Sequence, residues 1–219
     1  MKIKAHKHLI IFVLAIIITV SVYFWFIHSS YFEGFKIWSQ SNLITYFLVL
    51  VSVKIIGIVW PPLPGGVFTL ASVPIVGWPI AYVADLLGSI IGSTIAFLIA
   101  RRWGFEFLDK IFDQNTLEKI KNIKIKKERE IESIFLMRFF GASVIEVVCY
   151  GAGILGVGYR NFMIASVSSH IAVGMPVFYL TGTVFGEVLN SRGAIVGILA
   201  ILFVIFLFYK LKHRYFEFR

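Results

Sequence analysis

The sequence predicts an all-α polytopic membrane protein. In it, two opposed re-entrant hairpins, each followed by a spanning helix, form an inverted repeat between N- and C-terminal transmembrane helices. Three observations predict this. Of 219 residues, 58% are hydrophobic and only 15% charged, a balance outside the range of soluble domains. Apolar stretches are broken by helix-stopping residues, above all at Pro61-Pro62-Leu63-Pro64-Gly65-Gly66. The basic residues gather in three groups rather than spreading evenly, as residues retained on the cytoplasmic side do.

Domain 1–42 is the N-terminal transmembrane helix and its outer connector. Residues 9–28 carry no acid, lysine or arginine, over roughly the 20 residues a spanning helix needs. Tyr23-Phe24-Trp25-Phe26 is a poor signal-peptidase site, so the segment reads as a retained helix. Domain 43–187 is the core, made of repeat 1 (43–100), a cytoplasmic loop (101–132) and repeat 2 (133–187). In repeat 1, segment 43–75 enters the membrane and returns at the Pro-Gly elbow, and 78–100 crosses. The small residues Gly88, Gly92, Ser93 and Ala96 recur at helical spacing, as close helix contacts in lipid require; ordinary transmembrane packing without pseudo-symmetry is the alternative reading of them.

The 101–132 loop contains Arg101, Arg102, Lys110, Lys119, Lys121, Lys124, Lys126, Lys127 and Arg129, interleaved with Phe105, Leu108, Ile111, Phe112, Leu117 and Ile120. Amphipathic helices on the cytoplasmic interface are one reading of it, and a solvated connector the other. Repeat 2 turns back within 133–158, which holds Arg138-Phe139-Phe140-Gly141-Ala142-Ser143 and four later glycines, and 161–185 crosses. Domain 188–219 is a C-terminal helix, 194–209, with a basic tail. Placing Lys2, Lys4 and Lys7, the middle loop and the tail on one side puts both termini in the cytoplasm and makes the hairpins enter from opposite faces. Opposed broken hairpins that meet near the midplane are how inverted repeats build a substrate site.

The net charge of +9 sits at the ends of apolar segments, which excludes nucleic acid as the natural partner. A single cysteine, Cys149, permits neither an intrachain disulfide nor a thiolate metal cluster. No Gly-x-Ser-x-Gly nucleophile motif, paired histidines or carboxylate-rich cluster points to catalysis. The chain is therefore expected to be no enzyme and to need no cofactor or metal.

The PPLPGG run, followed by Gly92-Ser93, Phe97 and Ala100-Arg101-Arg102-Trp103-Gly104, resembles the DedA superfamily, whose core is also called the VTT or SNARE-associated domain. Arg138-Phe139-Phe140-Gly141 is similar to that family's arginine-aromatic-x-proline elbow, with Gly141 in the proline's place. The run Glu146 to Tyr150 followed by Ala152-Gly153 is similar to its TVP/TMEM branch. The resemblance covers roughly 50–186. It implies a flippase or scramblase for an anionic lipid, a polyprenyl phosphate or a phospholipid, with a proton or sodium ion as coupling partner in some members. It also implies residence in a bacterial cytoplasmic membrane, and a homo-oligomer is compatible with it. Gly66 and Lys54 stand where many bacterial members carry acids, and Val144 replaces the second elbow's further arginine.

Charged groups within apolar segments cost several kcal/mol unless paired or wet, so each is a functional candidate. Arg138 is the first choice for substrate binding, because a guanidinium stays charged and can grip a phosphate in two places. The alternative has it snorkelling at the cytoplasmic rim. Lys54 and the elbow residues Pro64, Gly65, Gly66 and Gly141 complete the substrate set, since helix ends at elbows offer unpaired amides to anions. Glu146, Asp85 and His170 are the candidates for ion coupling. Lys54 has two candidate partners, Asp85 at the opening of the next helix and Glu146 from the opposite hairpin. His170 reads either as a proton relay or as an interhelical polar contact.

Overall fold

The computed structural model describes residues 25–26, 28–60, 63, 65–109, 117–118, 120, 123, 125–140 and 145–185, with only the backbone for 107, 108, 184 and 185. The expected terminal helices at 9–28 and 194–209 lie outside the described residues, apart from 25, 26 and 28, as do Pro61, Pro62, Pro64 and Gly141. Every regular element among the described residues is helical. Two helices, Trp78–Glu106 and Tyr159–Thr183, are long and apolar enough to cross a membrane, and Ser30–Ser41 with Leu43–Val59 would make a third if counted as one broken span.

Contacts divide the chain into two units, Met1–Thr45 and Tyr46–Arg219. In the first, helix α1 (Ser30–Ser41) ends at Asn42, whose amide and side chain both donate to the Trp38 carbonyl. Phe26 packs edge-on against Phe32 and Phe35.

The second unit contains most of α2 (Leu43–Val59), then α3 (Gly65–Ala71), the short α4 (Val73–Val76), α5 (Trp78–Leu108), α6 (Glu130–Phe140), α7 (Ile145–Ile154) and α8 (Tyr159–Phe185). The chain stops being helical at Trp60 because three prolines follow within four residues. It then comes back so tightly that a methyl group on Gly57 would stand 2.6 Å from the Gly65 nitrogen. Glycine at both places lets two backbones touch. The same economy applies on α5, where a methyl on Gly88 would stand 2.6 Å from Lys54 Cβ and one on Gly92 3.1 Å from Ile58 Cβ. The small-residue stripe thus seats α2 directly on α5.

Helix α5 begins after Gly77, which takes φ 83°, and Pro79 falls in its first turn, where a missing amide proton costs nothing. It runs to Leu108, eight residues past the expected end of repeat 1, with a break at Gly104 (φ 62°). Arg101 and Arg102 therefore belong to the spanning helix and not to the loop. Leu117 and Ile120, expected on an interfacial helix, are 2% and 1% exposed and join the central core with Phe97, Ile134, Cys149, Tyr150, Val157 and Phe162. Their apolar surface is taken up by protein.

Helix α7 closes in a Schellman turn: Gly156 takes φ 78° and the Val157 amide reaches back to the Ala152 carbonyl. Two side chains hold that turn. Arg101 donates to the Val157 carbonyl at 2.8 Å, and Glu130 accepts from the Gly158 amide at 3.0 Å and from Asn161 at 2.8 Å. The Glu130 carboxylate also suits the positive end of α8. Phe97 of α5 stacks on Phe162 of α8 at 4.7 Å, so the two long helices meet through aromatic rings.

Gly57→Ala is expected to lower stability by about 1–3 kcal/mol, because backbone surrounds the new methyl and cannot yield. Gly151→Ala, whose methyl would find its nearest neighbour 3.8 Å away, is expected to be neutral or stabilising. Thermal unfolding of the two variants in detergent checks the contrast.

Candidate functional site

Lys54 lies on α2 one helical turn before Gly57, and its side chain is 9% exposed. Its ammonium is 2.7 Å from Asp85 Oδ1. Asp85 sits in the interior of α5, two turns from its start, and not at the opening of the helix as expected. Thr69 of α3 donates to the same Oδ1 at 2.5 Å. Asp85 Oδ2 faces His170 of α8, whose Nε2 lies 3.2 Å away, within ion-pair distance but outside hydrogen-bond alignment. One carboxylate thus collects groups from three other helices. Tyr82, one turn before Asp85, stacks on the His170 ring at 5.7 Å and fixes its plane.

Arg138 occupies the last turn of α6 and is 4% exposed. Its charge is buried in protein rather than reaching for a rim. Nη1 donates to Cys149 Sγ of α7 at 3.1 Å and to Ser93 Oγ of α5 at 3.3 Å. These are neutral acceptors, and among the described residues no carboxylate lies within 4 Å of the guanidinium. Glu146, in the first turn of α7, is half-buried and within electrostatic reach of both Lys54 and Arg138, with no ion pair closer than 4 Å among the described residues. Of the two partners considered for Lys54, Asp85 is the one in contact.

A cavity of about 200 Å³ joins these groups. Lys54, Gly66, Asp85, Arg138, Ser169 and His170 are in its wall, with Val173, Gly174 and Phe178 closing the apolar side. Gly65 lies behind it, against Val53 and Lys54, and is part of the packing rather than the wall. Pro176 interrupts the amide ladder of α8 beside the cavity, since proline cannot donate to the Ala172 carbonyl. Tyr150, fully buried, donates to the Val59 carbonyl at 2.7 Å and ties α7 to the end of α2.

A comparison with known families matches residues 63–188, more than half of the chain, to the VTT domain. The chain belongs to the VTT domain family. This is the domain of the DedA superfamily, and with the apolar helices it marks an integral membrane protein. The match begins inside the first elbow and takes in Asp85, Arg138, Glu146 and His170, while Lys54 and the rest of α2 precede it. No curated protein and no solved structure matches the chain.

Sequence reasoning singled out the charged groups of this VTT site but missed Thr69 and gave Ser93 and Cys149 no part beside Arg138. A readable signal existed for Ser93: Asp85, Ser89 and Ser93 recur every four residues on an otherwise apolar helix, a polar stripe on one face. Thr69 carries no such signal, because its contact with Asp85 depends on how the elbow folds.

Asp85→Asn strips Lys54 of the carboxylate it contacts and is expected to destabilise by about 3–5 kcal/mol, and Lys54→Met, which leaves Asp85 with His170 and Thr69, by less. The double variant should recover most of that loss. A double-mutant cycle by denaturant unfolding in micelles measures it.

Proposed function

We propose that the chain is a carrier, a flippase or scramblase that moves an anionic lipid, a polyprenyl phosphate or phospholipid, across its membrane. The observation that carries this reading is the cavity shared by both halves of the VTT domain region, with two buried cations, Lys54 and Arg138, in its wall. Arg138 is the better phosphate ligand of the two. Its hydrogen bonds go to a thiol and a hydroxyl, weak acceptors that a phosphate oxygen replaces with gain. Lys54 is held by Asp85 and becomes available only when that carboxylate finds another cation, the role His170 is placed to take.

On this reading Asp85, Glu146 and His170 exchange a proton or sodium ion as the lipid moves. Segments 43–75 and 133–158 are the re-entrant hairpins of an inverted repeat, with the first entering from outside, the second from the cytoplasm, and both termini cytoplasmic. The setting is a bacterial cytoplasmic membrane, and the Glu146 to Gly153 run aligns the chain with the TVP/TMEM branch. No catalytic step is assigned to any residue, and no cofactor is needed. An unbroken acyl chain would remain in lipid while its headgroup crosses, which suits a cavity too small for a whole lipid.

Arg138→Ala is expected to reduce flux of labelled anionic lipid in proteoliposomes roughly 10- to 100-fold, the worth of a charge-assisted hydrogen bond of about 1.5–3 kcal/mol. Arg138→Lys should fall between. Equal flux through wild type and the alanine variant removes Arg138 from the site. If even the wild-type protein gives no flux, and its deletion disperses partner proteins, an assembly role replaces the carrier.

A further inference from the structure

A second, smaller gap lies behind the cavity between α5, α6 and α8. It measures about 10 Å³ and is lined by Leu86, Ser89, Arg138, Met163, Ser166 and His170 among others. The two spaces share Arg138 and His170. The gap holds roughly one water by volume, since a single probe-sized site needs on the order of 10–15 Å³.

Its chemistry is unusual for an apolar bundle. Hydroxyls elsewhere in the chain turn back onto a carbonyl three or four residues earlier, as Ser39, Ser52, Ser72, Thr94, Ser169 and Thr181 do. Ser166 does not. It is 3% exposed and its Oγ has no hydrogen-bond partner, although the Phe162 carbonyl is its natural acceptor. His170, one turn further along the same face, has its Nε2 likewise without an aligned bond. A buried polar group left unmet costs about 1–3 kcal/mol, so the Ser166 hydroxyl calls for a partner in the gap that the His170 ring also lines. The gap also meets the Arg138 guanidinium and the 4% exposed Ser89. A cation is disfavoured next to that guanidinium. Water, which both donates and accepts, fits all four groups.

The geometry points to one bound water molecule held among Ser89, Arg138, Ser166 and His170, joining the Arg138–Ser93–Cys149 cluster to the Lys54–Asp85–His170 cluster. With it, Arg138 and His170 share a hydrogen-bonded water, and the ion-pair contact of His170 with Asp85 carries the link onward, whether or not the chain moves lipid. Arg138 has five donor hydrogens, and Ser93 and Cys149 use only Nη1. The water takes one of the remainder and carries its orientation to the imidazole.

The test is a structure in lipid nanodiscs at a resolution that shows waters, together with the ¹⁵N spectrum of the His170 ring, assigned by its loss in His170→Gln. Wild type should show a peak within hydrogen-bond reach of Ser166 Oγ. Ser166→Val, which fills the gap, should lose that peak and move the His170 resonance. A wild-type map with no peak and Ser166 turned onto the Phe162 carbonyl overturns the site. So does an unmoved His170 resonance in folded Ser166→Val. Should the valine fail to fold, Ser166→Ala decides: a moved resonance supports the water and an unmoved one removes it. Neither readout uses flux, so failure here and failure of the carrier reading stay separable.

Discussion

The ion pair between Lys54 and Asp85 is the constraint around which the second unit is arranged. A buried charge is tolerable only with its partner, and these partners lie on helices separated by the Pro-Gly break. For the ammonium to reach the carboxylate, the stem of Lys54 must pass where α5 presents no side chain, which is why Gly88 stands there. Closing α2 onto α5 at that depth also brings Gly57 against Gly65 and carries Thr69 to the Asp85 oxygen that Lys54 contacts. The glycines, the elbow and the threonine are consequences of burying one pair.

Arg138 is handled differently. Where Lys54 has a carboxylate, Arg138 has a thiol and a hydroxyl, so its positive charge is solvated by dipoles rather than cancelled. The cavity wall therefore contains one neutralised cation and one that is not. This asymmetry leaves the uncompensated positive charge of the wall on the guanidinium.

Much of this was legible in the sequence, for reasons that differ by residue. The end of α2 at Val59 was readable because proline acts locally, and the seating of α2 on α5 because small residues repeat at helical spacing. Lys54, Asp85, Arg138, Glu146 and His170 stood out because charge within an apolar run is conspicuous whatever its neighbours. What pairs with what was less legible. Both Asp85 and Glu146 were candidates for Lys54, and only the three-dimensional approach of α2 to α5 separates them. The middle loop misled for a related reason: Leu117 and Ile120 have helical spacing, but periodicity reports an apolar face without naming its cover, here the core around Phe97 and Tyr150. The reach of α5 to Leu108 was hidden because Arg101 and Arg102 look like a membrane boundary, although Arg101 bends back to the Val157 carbonyl and lies over the Phe97 ring.

The bond from Tyr150 to the Val59 carbonyl bears on biogenesis. Val59 ends α2, and the last carbonyls of a helix have no donor within it. In water such a group is solvated at once, but in a bilayer it waits for protein. Its donor is 91 residues later in the chain. During synthesis the first half thus enters the membrane with an unmet acceptor, and remains unfinished until the segment around Tyr150 has been made and inserted.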